Sequence, residues 1–99
     1  MNENEIYEQA VKHYGHLNQI VKGIEECSEL IRALARWLEG APDIGNIAEE
    51  IADVEIMIEQ IKIMLNSLFE DCDAEKLLEL KKYEKLSRLA KRLAMEEST

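Results

Sequence analysis

Apolar residues recur every three or four positions along most of the chain, which is the spacing of amphipathic helices. Glycine, proline, asparagine and aspartate interrupt this pattern at Gly15, in the segment 39–46 and in the segment 71–73. Such residues end one helix and begin the next. The predicted helices cover about residues 4–14, 16–38, 46–68 and 73–95. Because the connections are short, the pattern predicts an all-α fold, an antiparallel four-helix bundle in a single domain over residues 1–99.

The clearest periodicity lies in the second predicted helix. Its apolar residues alternate steps of four and three, as expected of a helix that packs along one face. We call these residues the apolar stripe: Ile20, Ile24, Cys27, Ile31, Leu34 and Leu38. A similar row on the fourth helix is expected to face inward: Leu77, Leu80, Tyr83, Leu86, Ala90 and Leu93. The third helix is predicted to begin at a capping box of Asn46 and Glu49.

Composition supports the helical prediction and adds an oligomer. The 99 residues are 46% hydrophobic and 33% charged, with only four glycines and one proline, too few turn-forming residues for a sheet of many short strands. A chain of this length buries only about two-thirds of its unfolded surface, so a second copy is an economical way to extend the core. We therefore expect a homodimer or homotetramer.

Charge is distributed unevenly along the chain. The net charge is -9, which disfavours binding of nucleic acid over the whole surface. Seven of the 12 basic residues nevertheless lie between residues 76 and 92. The alternative function from this pattern is a non-catalytic helical adaptor that binds a protein or nucleic acid through the basic C-terminal helix.

The cysteines and the hydropathy pattern predict a cytoplasmic location. Cys27 and Cys72 are isolated thiols without metal-binding spacing, and no charged-then-apolar leader opens the chain. Uncharged stretches are shorter than the roughly 20 residues that a membrane span needs, so no membrane segment is expected.

Acidic residues form two clusters at helical spacing, one in each of the two central helices. In the second helix, Glu26 and Glu29 lie within about 60° of each other, with Lys22 between them, roughly opposite the apolar stripe. On this helix alone, the pattern fits a solvated acidic face equally well.

The third helix changes that balance. Glu50 lies in the middle of its apolar sector and Asp53 at the edge of the same sector. The apolar members of the sector are Ile47, Val54, Met57, Ile61, Met64, Leu65 and Leu68. A carboxylate buried there costs several kcal/mol unless it is protonated, paired or bound to metal, and no Lys or Arg shares the sector. If the two acidic faces pack together, four carboxylates converge and a divalent cation is required between them. Oxygen ligands select Mg²⁺ or Mn²⁺ over zinc.

The two clusters form a motif. Glu25-Glu26-x-x-Glu29, followed after 20 residues by Glu50-x-x-Asp53, resembles the EExxE…ExxD signature of the all-α nucleoside triphosphate pyrophosphohydrolases, the MazG-like superfamily. The segments EECSELIRAL and NIAEEIADVEIMIEQIKIM are similar to its compact single-domain members from phages and their bacterial hosts. The resemblance covers roughly residues 16–68.

The resemblance implies an enzyme that converts a (d)NTP to the (d)NMP and pyrophosphate. It implies that Glu26, Glu29, Glu50 and Asp53 ligate Mg²⁺, with Glu25 as an auxiliary acid nearby. One and two turns before Glu26, three side chains are expected to contact the substrate: Lys22 for phosphate, and Gln19 or Asn18 for the nucleotide.

Other residues with binding chemistry are better explained by packing. His13 and His16 are three residues apart, but Gly15 lies between them and no cysteine is near, so surface or packing roles are favoured over a metal site. Trp37 adjoins the acidic face of the second helix, yet a lone tryptophan is more typical of a core or interface anchor than of base stacking.

Overall fold

The computed structural model describes residues 1–98, which form four helices and no strands. Thr99, the last residue of the predicted domain, lies outside the described residues. The helices are α1 (Glu3–Tyr14), α2 (His16–Leu38), α3 (Ile44–Leu68) and α4 (Ala74–Glu97). The all-α prediction is confirmed, and every helix lies within two residues of its predicted bounds.

Local backbone chemistry sets the helix boundaries. Gly15 separates α1 from α2 with φ at 89°, a conformation in which a side chain would be strained. The predicted capping box at Asn46 is wrong, because Asp43 caps α3 instead: its carboxylate accepts a hydrogen bond from the Asn46 backbone N–H at 3.0 Å. Asp73 caps α4 in the same way, accepting from the Lys76 N–H at 3.2 Å.

Helices α2 and α3 pack as an antiparallel hairpin. Residue numbers fall along α3 as they rise along α2: His16 contacts Ser67, Gln19 contacts Gln60, Gly23 approaches Met57, Glu26 faces Asp53 and Glu29 faces Glu50. The facing residues on α3 follow alternating steps of three and four, as in a coiled coil. We call this contact line the seam, formed by Gln19, Gly23, Glu26, Leu30 and Ala33 of α2 and by Glu50, Asp53, Met57, Gln60 and Met64 of α3.

The prediction that α2 packs along its apolar stripe is wrong for the single chain. Ile31 is 67% exposed and Leu38 is 92% exposed, whereas Gly23 and Ala33 on the seam are buried. These two small residues allow the two backbones to approach. A Cβ at Gly23 would lie in ordinary contact with the Ile61 side chain, at 3.7 Å, so a side chain larger than that of alanine would press against α3. Close approach at small residues therefore helps to decide which side of α2 faces α3.

Helix α1 packs on both α2 and α3, whereas α4 contacts only α3. The first turn of α4 is held by the Ala74 backbone N–H, which donates to Asn66 at 2.8 Å, and by a 3.2 Å ion pair between Lys62 and Glu75. Beyond that turn the predicted inward row is not packed, and Tyr83 is 71% exposed. The radius of gyration is 17.0 Å, against about 13 Å for a compact chain of this length.

The hydropathy prediction agrees with the helices observed. Among residues 1–98, no helix combines the length and apolar character needed to cross a bilayer.

Candidate metal centre

Four carboxylates meet at one end of the seam, where it approaches the α2–α3 connection. Glu26 and Glu29 come from successive turns of α2, and Glu50 and Asp53 from the facing turns of α3. One oxygen from each of the four lies within 4.8 Å of the others. The structure therefore brings together all four residues predicted as metal ligands, and we call them the acidic cluster.

Burial makes this arrangement unlike an ordinary solvated acidic face. Glu26 is only 6% exposed. One oxygen of Glu26 and one of Glu50 are shielded from solvent and receive no hydrogen bond from residues 1–98. Buried carboxylate oxygens without a donor carry a desolvation cost that a bound cation removes.

One basic side chain on α2 lies next to the acidic cluster. Lys22 lies one turn before Glu26, and its ammonium is 3.2 Å from a Glu26 oxygen and 3.9 Å from Glu25. The hydrogen bond to Glu26 raises the pKa of Lys22, so the lysine stays charged. One lysine offsets only one of four converging negative charges, and the excess remains on Glu29, Glu50 and Asp53.

The pKa values of two members record this excess. Removal from solvent raises the pKa of Glu50, and a hydrogen bond to Glu29 and repulsion from it add to the effect. Removal from solvent also raises the pKa of Asp53, followed by the proximity of Glu26. Both groups therefore hold a proton to higher pH than an isolated carboxyl does, unless a cation replaces it.

The donor set fits a hard divalent ion. All four ligands are carboxylates, with no cysteine or histidine among them. Octahedral Mg²⁺ with bonds of about 2.1 Å places its ligand oxygens roughly 3.0 to 4.2 Å apart. No two of the four oxygens are more than 4.8 Å apart, so small rotations of the glutamate side chains would bring them within this range. These four residues could hold a metal ion.

A hollow of about 490 Å³ adjoins the cluster on the N-terminal half of α2. It is lined by Tyr14, Asn18, Gln19, Val21, Lys22 and Glu25. These lining residues include all four that were predicted to contact substrate or to assist beside the metal. Lys22 and Glu25 are both more than half exposed there, which leaves them accessible to a ligand.

Two of these four residues have other partners. The Asn18 amide donates to the Tyr14 carbonyl oxygen at 2.8 Å. The Gln19 amide is buried and donates a hydrogen bond to Gln60 at 2.7 Å, which directs this side chain into the seam. Of the predicted substrate contacts, Lys22 is the one with a positive charge, and its side chain is 53% exposed.

Sequence reasoning missed Gln60. It is 5% exposed and forms a polar layer with Gln19, separated from the acidic cluster by the Gly23–Met57 layer. The signal was present: Gln60 continues the spacing of Glu50, Asp53 and Met57 in steps of three and four. A glutamine in such a row is a candidate for a buried hydrogen bond that fixes the register of two helices.

Comparison with known proteins adds no family assignment. The chain matches no protein-family model, no curated protein and no solved structure. The features that bear on function are therefore the geometry of the acidic cluster and the sequence motif.

Proposed function

We propose that this chain is a Mg²⁺-dependent nucleoside triphosphate pyrophosphohydrolase that converts a (d)NTP to the (d)NMP and pyrophosphate. The observation that carries the proposal is the convergence of Glu26, Glu29, Glu50 and Asp53, with two buried oxygens that lack a hydrogen-bond donor. The motif resemblance to the MazG-like superfamily names the same four residues from the sequence.

Each residue has a distinct task in this proposal. The acidic cluster would hold Mg²⁺, or Mn²⁺ in its place, and a hard ion there would supply charge that neutralises the triphosphate and lowers the pKa of the attacking water. The rigid seam fixes Glu26 opposite Asp53, so the ligands are positioned before substrate arrives. Lys22, at the edge of the hollow, orients a phosphate group by charge. Water attacks the α-phosphorus and pyrophosphate leaves.

The ion pair between Glu26 and Lys22 joins the two binding tasks of the site, which are to hold a metal ion and to contact a phosphate group. Lys22 is 53% exposed, so its ammonium can turn from Glu26 toward a phosphate without crossing the core. Glu25 lies 3.9 Å from the same ammonium and holds it near the hollow. This assigns Glu25 an auxiliary role in orienting Lys22 and not in binding metal.

The decisive experiment is a Glu50→Gln variant, which removes one ligand charge at nearly constant shape. Pyrophosphate release from a panel of (d)NTPs, with Mg²⁺ or Mn²⁺ present, should fall at least about 100-fold. The matched control is Glu55→Gln, at an exposed position on the same helix, which should keep full activity. Undiminished turnover by Glu50→Gln would refute the metal-site proposal.

Helix α4 supports a second candidate, the helical adaptor. Most of α4 is exposed, and a shallow hollow on it is lined by Lys85, Arg88, Leu89 and Arg92. An adaptor should bind its partner in a salt-sensitive manner that neutralisation of Lys81, Lys85 and Arg88 abolishes, and Mg²⁺ with dNTP should not raise its melting temperature. The enzyme predicts a Mg²⁺- and dNTP-dependent rise that survives neutralisation of α4.

A further inference from the structure

The folded chain exposes far more surface than a self-sufficient monomer of its mass. Its accessible surface is 8047 Å², whereas a folded monomer of 11.4 kDa exposes about 5,800 Å². The excess, about 2,200 Å² per chain, exceeds the roughly 800 Å² that each partner buries in a standard interface. An excess of this size is typical of a subunit taken from an obligate assembly.

Part of this exposed surface is a continuous row of apolar side chains on α2. The apolar stripe runs the length of the helix, and Trp37 beside it is 58% exposed. Leu34, Trp37 and Leu38 also line an apolar hollow of about 450 Å³. An apolar surface of this extent on a soluble chain marks an interaction site.

The spacing of the stripe fits a second copy of the same helix. Its steps of four, three, four, three and four residues read the same from either end of the helix. An antiparallel copy of α2 therefore pairs Ile20 with the partner's Leu38, Ile24 with the partner's Leu34 and Cys27 with the partner's Ile31. A surface that matches itself after a half-turn is what a two-fold interface requires.

Neighbouring residues allow this pairing. Beside the stripe lie Val21, Ser28 and Ala35, which carry no charge, so two copies of α2 can approach without burying like charges. Helix α3 adds a second apolar row on the same side of the hairpin, since in both helices the row lies about 100° beyond the seam residues. This row contains Ile44, Ile47, Ile51, Val54, Ile58 and Ile61, and four of the six are exposed.

The acidic cluster stays accessible in such a pair. Glu29 lies on the side of α2 opposite the stripe, and Lys22 lies close to the same side. We propose that a second copy of this chain covers the apolar stripe in an antiparallel, two-fold α2–α2 contact centred at the level of residue 29. The contact joins the two chains back to back and leaves each metal centre open.

The first test measures assembly mass and is independent of metal binding and catalysis. Sedimentation of the purified chain should give twice the chain mass of 11.4 kDa, or an even multiple. Ile31→Glu should reduce that mass at least to half, with helical circular dichroism checked in parallel. The matched control is Leu86→Glu on α4, because Leu86 is 61% exposed and Ile31 is 67% exposed. A monomeric wild type, or an Ile31→Glu variant of unchanged mass, would overturn the proposal.

The second test determines the register without relying on a destabilised variant. In a Cys27→Ser, Cys72→Ser background, Ile24→Cys with Leu34→Cys should form interchain disulfides on mild oxidation, seen as a dimer on a non-reducing gel. These positions are ten residues apart, about 15 Å along one helix, so they cannot bond within a chain. Ile24→Cys alone should not cross-link. A dimer from the single variant would indicate parallel pairing, and no cross-link from the double variant would place the contact elsewhere; either result refutes the proposed interface.

Discussion

The two sides of α2 differ in composition and in burial, and the difference runs against simple expectation. The side that faces α3 contains Gln19, Gly23 and Glu26, which are poor in apolar area, yet all three are buried. The apolar stripe, which lies about 100° around the helix from the seam, contains five isoleucines and leucines that are more than 40% exposed, and Leu38 reaches 92%. Within one chain, α2 buries its more polar side and exposes its apolar side.

This contrast shows that the two sides of α2 have different roles. A seam rich in small and polar residues permits close backbone approach and holds four carboxylates in fixed positions. A stripe of large apolar residues contributes area, which becomes stabilising only when another surface covers it. The same helix therefore positions a site on one side and offers an assembly surface on the other. Four changes would test this division, beginning with the largest expected effect.

Shortening a side chain in the seam should be the most damaging. Met57 is 5% exposed and lies between the Gln19–Gln60 pair and the acidic cluster. Met57→Ala should therefore lower the free energy of unfolding by about 2–5 kcal/mol. Met95→Ala offers a matched control, since Met95 is 71% exposed on α4, and should change it by less than about 0.5 kcal/mol. Urea unfolding measures both. Similar losses from the two variants would show that α4 is buried in the assembly to the same extent as the seam.

The glutamine layer should show strong coupling. Gln19 donates to Gln60 at 2.7 Å in a buried position, so changing either residue alone to leucine leaves an unpaired amide and should cost about 1–3 kcal/mol. Changing both should cost much less than the sum of the single changes, because no buried polar group is left alone. A double-mutant cycle by urea unfolding checks this. Additive losses would contradict a register role for the pair.

The sequence predicted the fold class, the helix bounds and the acidic cluster, since all three follow from local periodicity. Glu50 was recognisable because it interrupts an apolar sector on its own helix. The packed side of α2 was not predictable in the same way. Apolar spacing identifies a side of a helix that will be covered, but not whether α3 or another chain covers it. The contact of Gly23 with α3 is recognisable only from the structure, in which Ile61 and Met57 lie beside it.

A similar limit applies to α4. Its row of residues predicted to face inward also follows helical spacing, but these residues are exposed, and the hydrogen bond and ion pair that join α3 to α4 involve the first turn of α4. Regular spacing predicts that a side of a helix is packed, but it does not show whether the same chain or another chain supplies the contact. The contacts that do exist, from Asn66 to Ala74 and from Lys62 to Glu75, join residues without a periodic signal. Such polar contacts depend on the angle at which two helices meet, which spacing does not encode.

Removal of one cluster charge should stabilise the metal-free protein by a modest, pH-dependent amount. The pKa of Glu50 is raised in the folded state, so this group stabilises the fold at pH values below its pKa in the unfolded chain. That stabilisation is lost as the pH rises through the pKa of the folded state. In EDTA, the melting temperature of Glu50→Gln should therefore exceed that of the wild type increasingly from pH 4.5 to pH 8.

With Mg²⁺ present, the wild type should melt at a higher temperature than Glu50→Gln. The ion competes with the proton on Glu50, so Mg²⁺ should raise the wild-type melting temperature more at pH 8 than at pH 5 and leave Glu50→Gln nearly unchanged. Thermal unfolding followed by circular dichroism gives both series. If the metal-free wild type melted higher than Glu50→Gln at pH 8, repulsion within the cluster would not be a source of instability.

The smallest effect should come from the link between α3 and α4. Lys62 pairs with Glu59 at 3.1 Å and with Glu75 at 3.2 Å, and hydrogen bonds to these two acids raise its pKa, so it remains charged throughout the neutral range. Lys62→Met keeps the aliphatic stem but removes the charge that holds the first turn of α4. Hydrogen exchange should then quicken by up to about tenfold in that turn and stay unchanged at the seam. Faster hydrogen exchange at Met57 and Gln60 would mean that α4 stabilises the seam. The separate roles of the seam and the apolar stripe would then depend on α4.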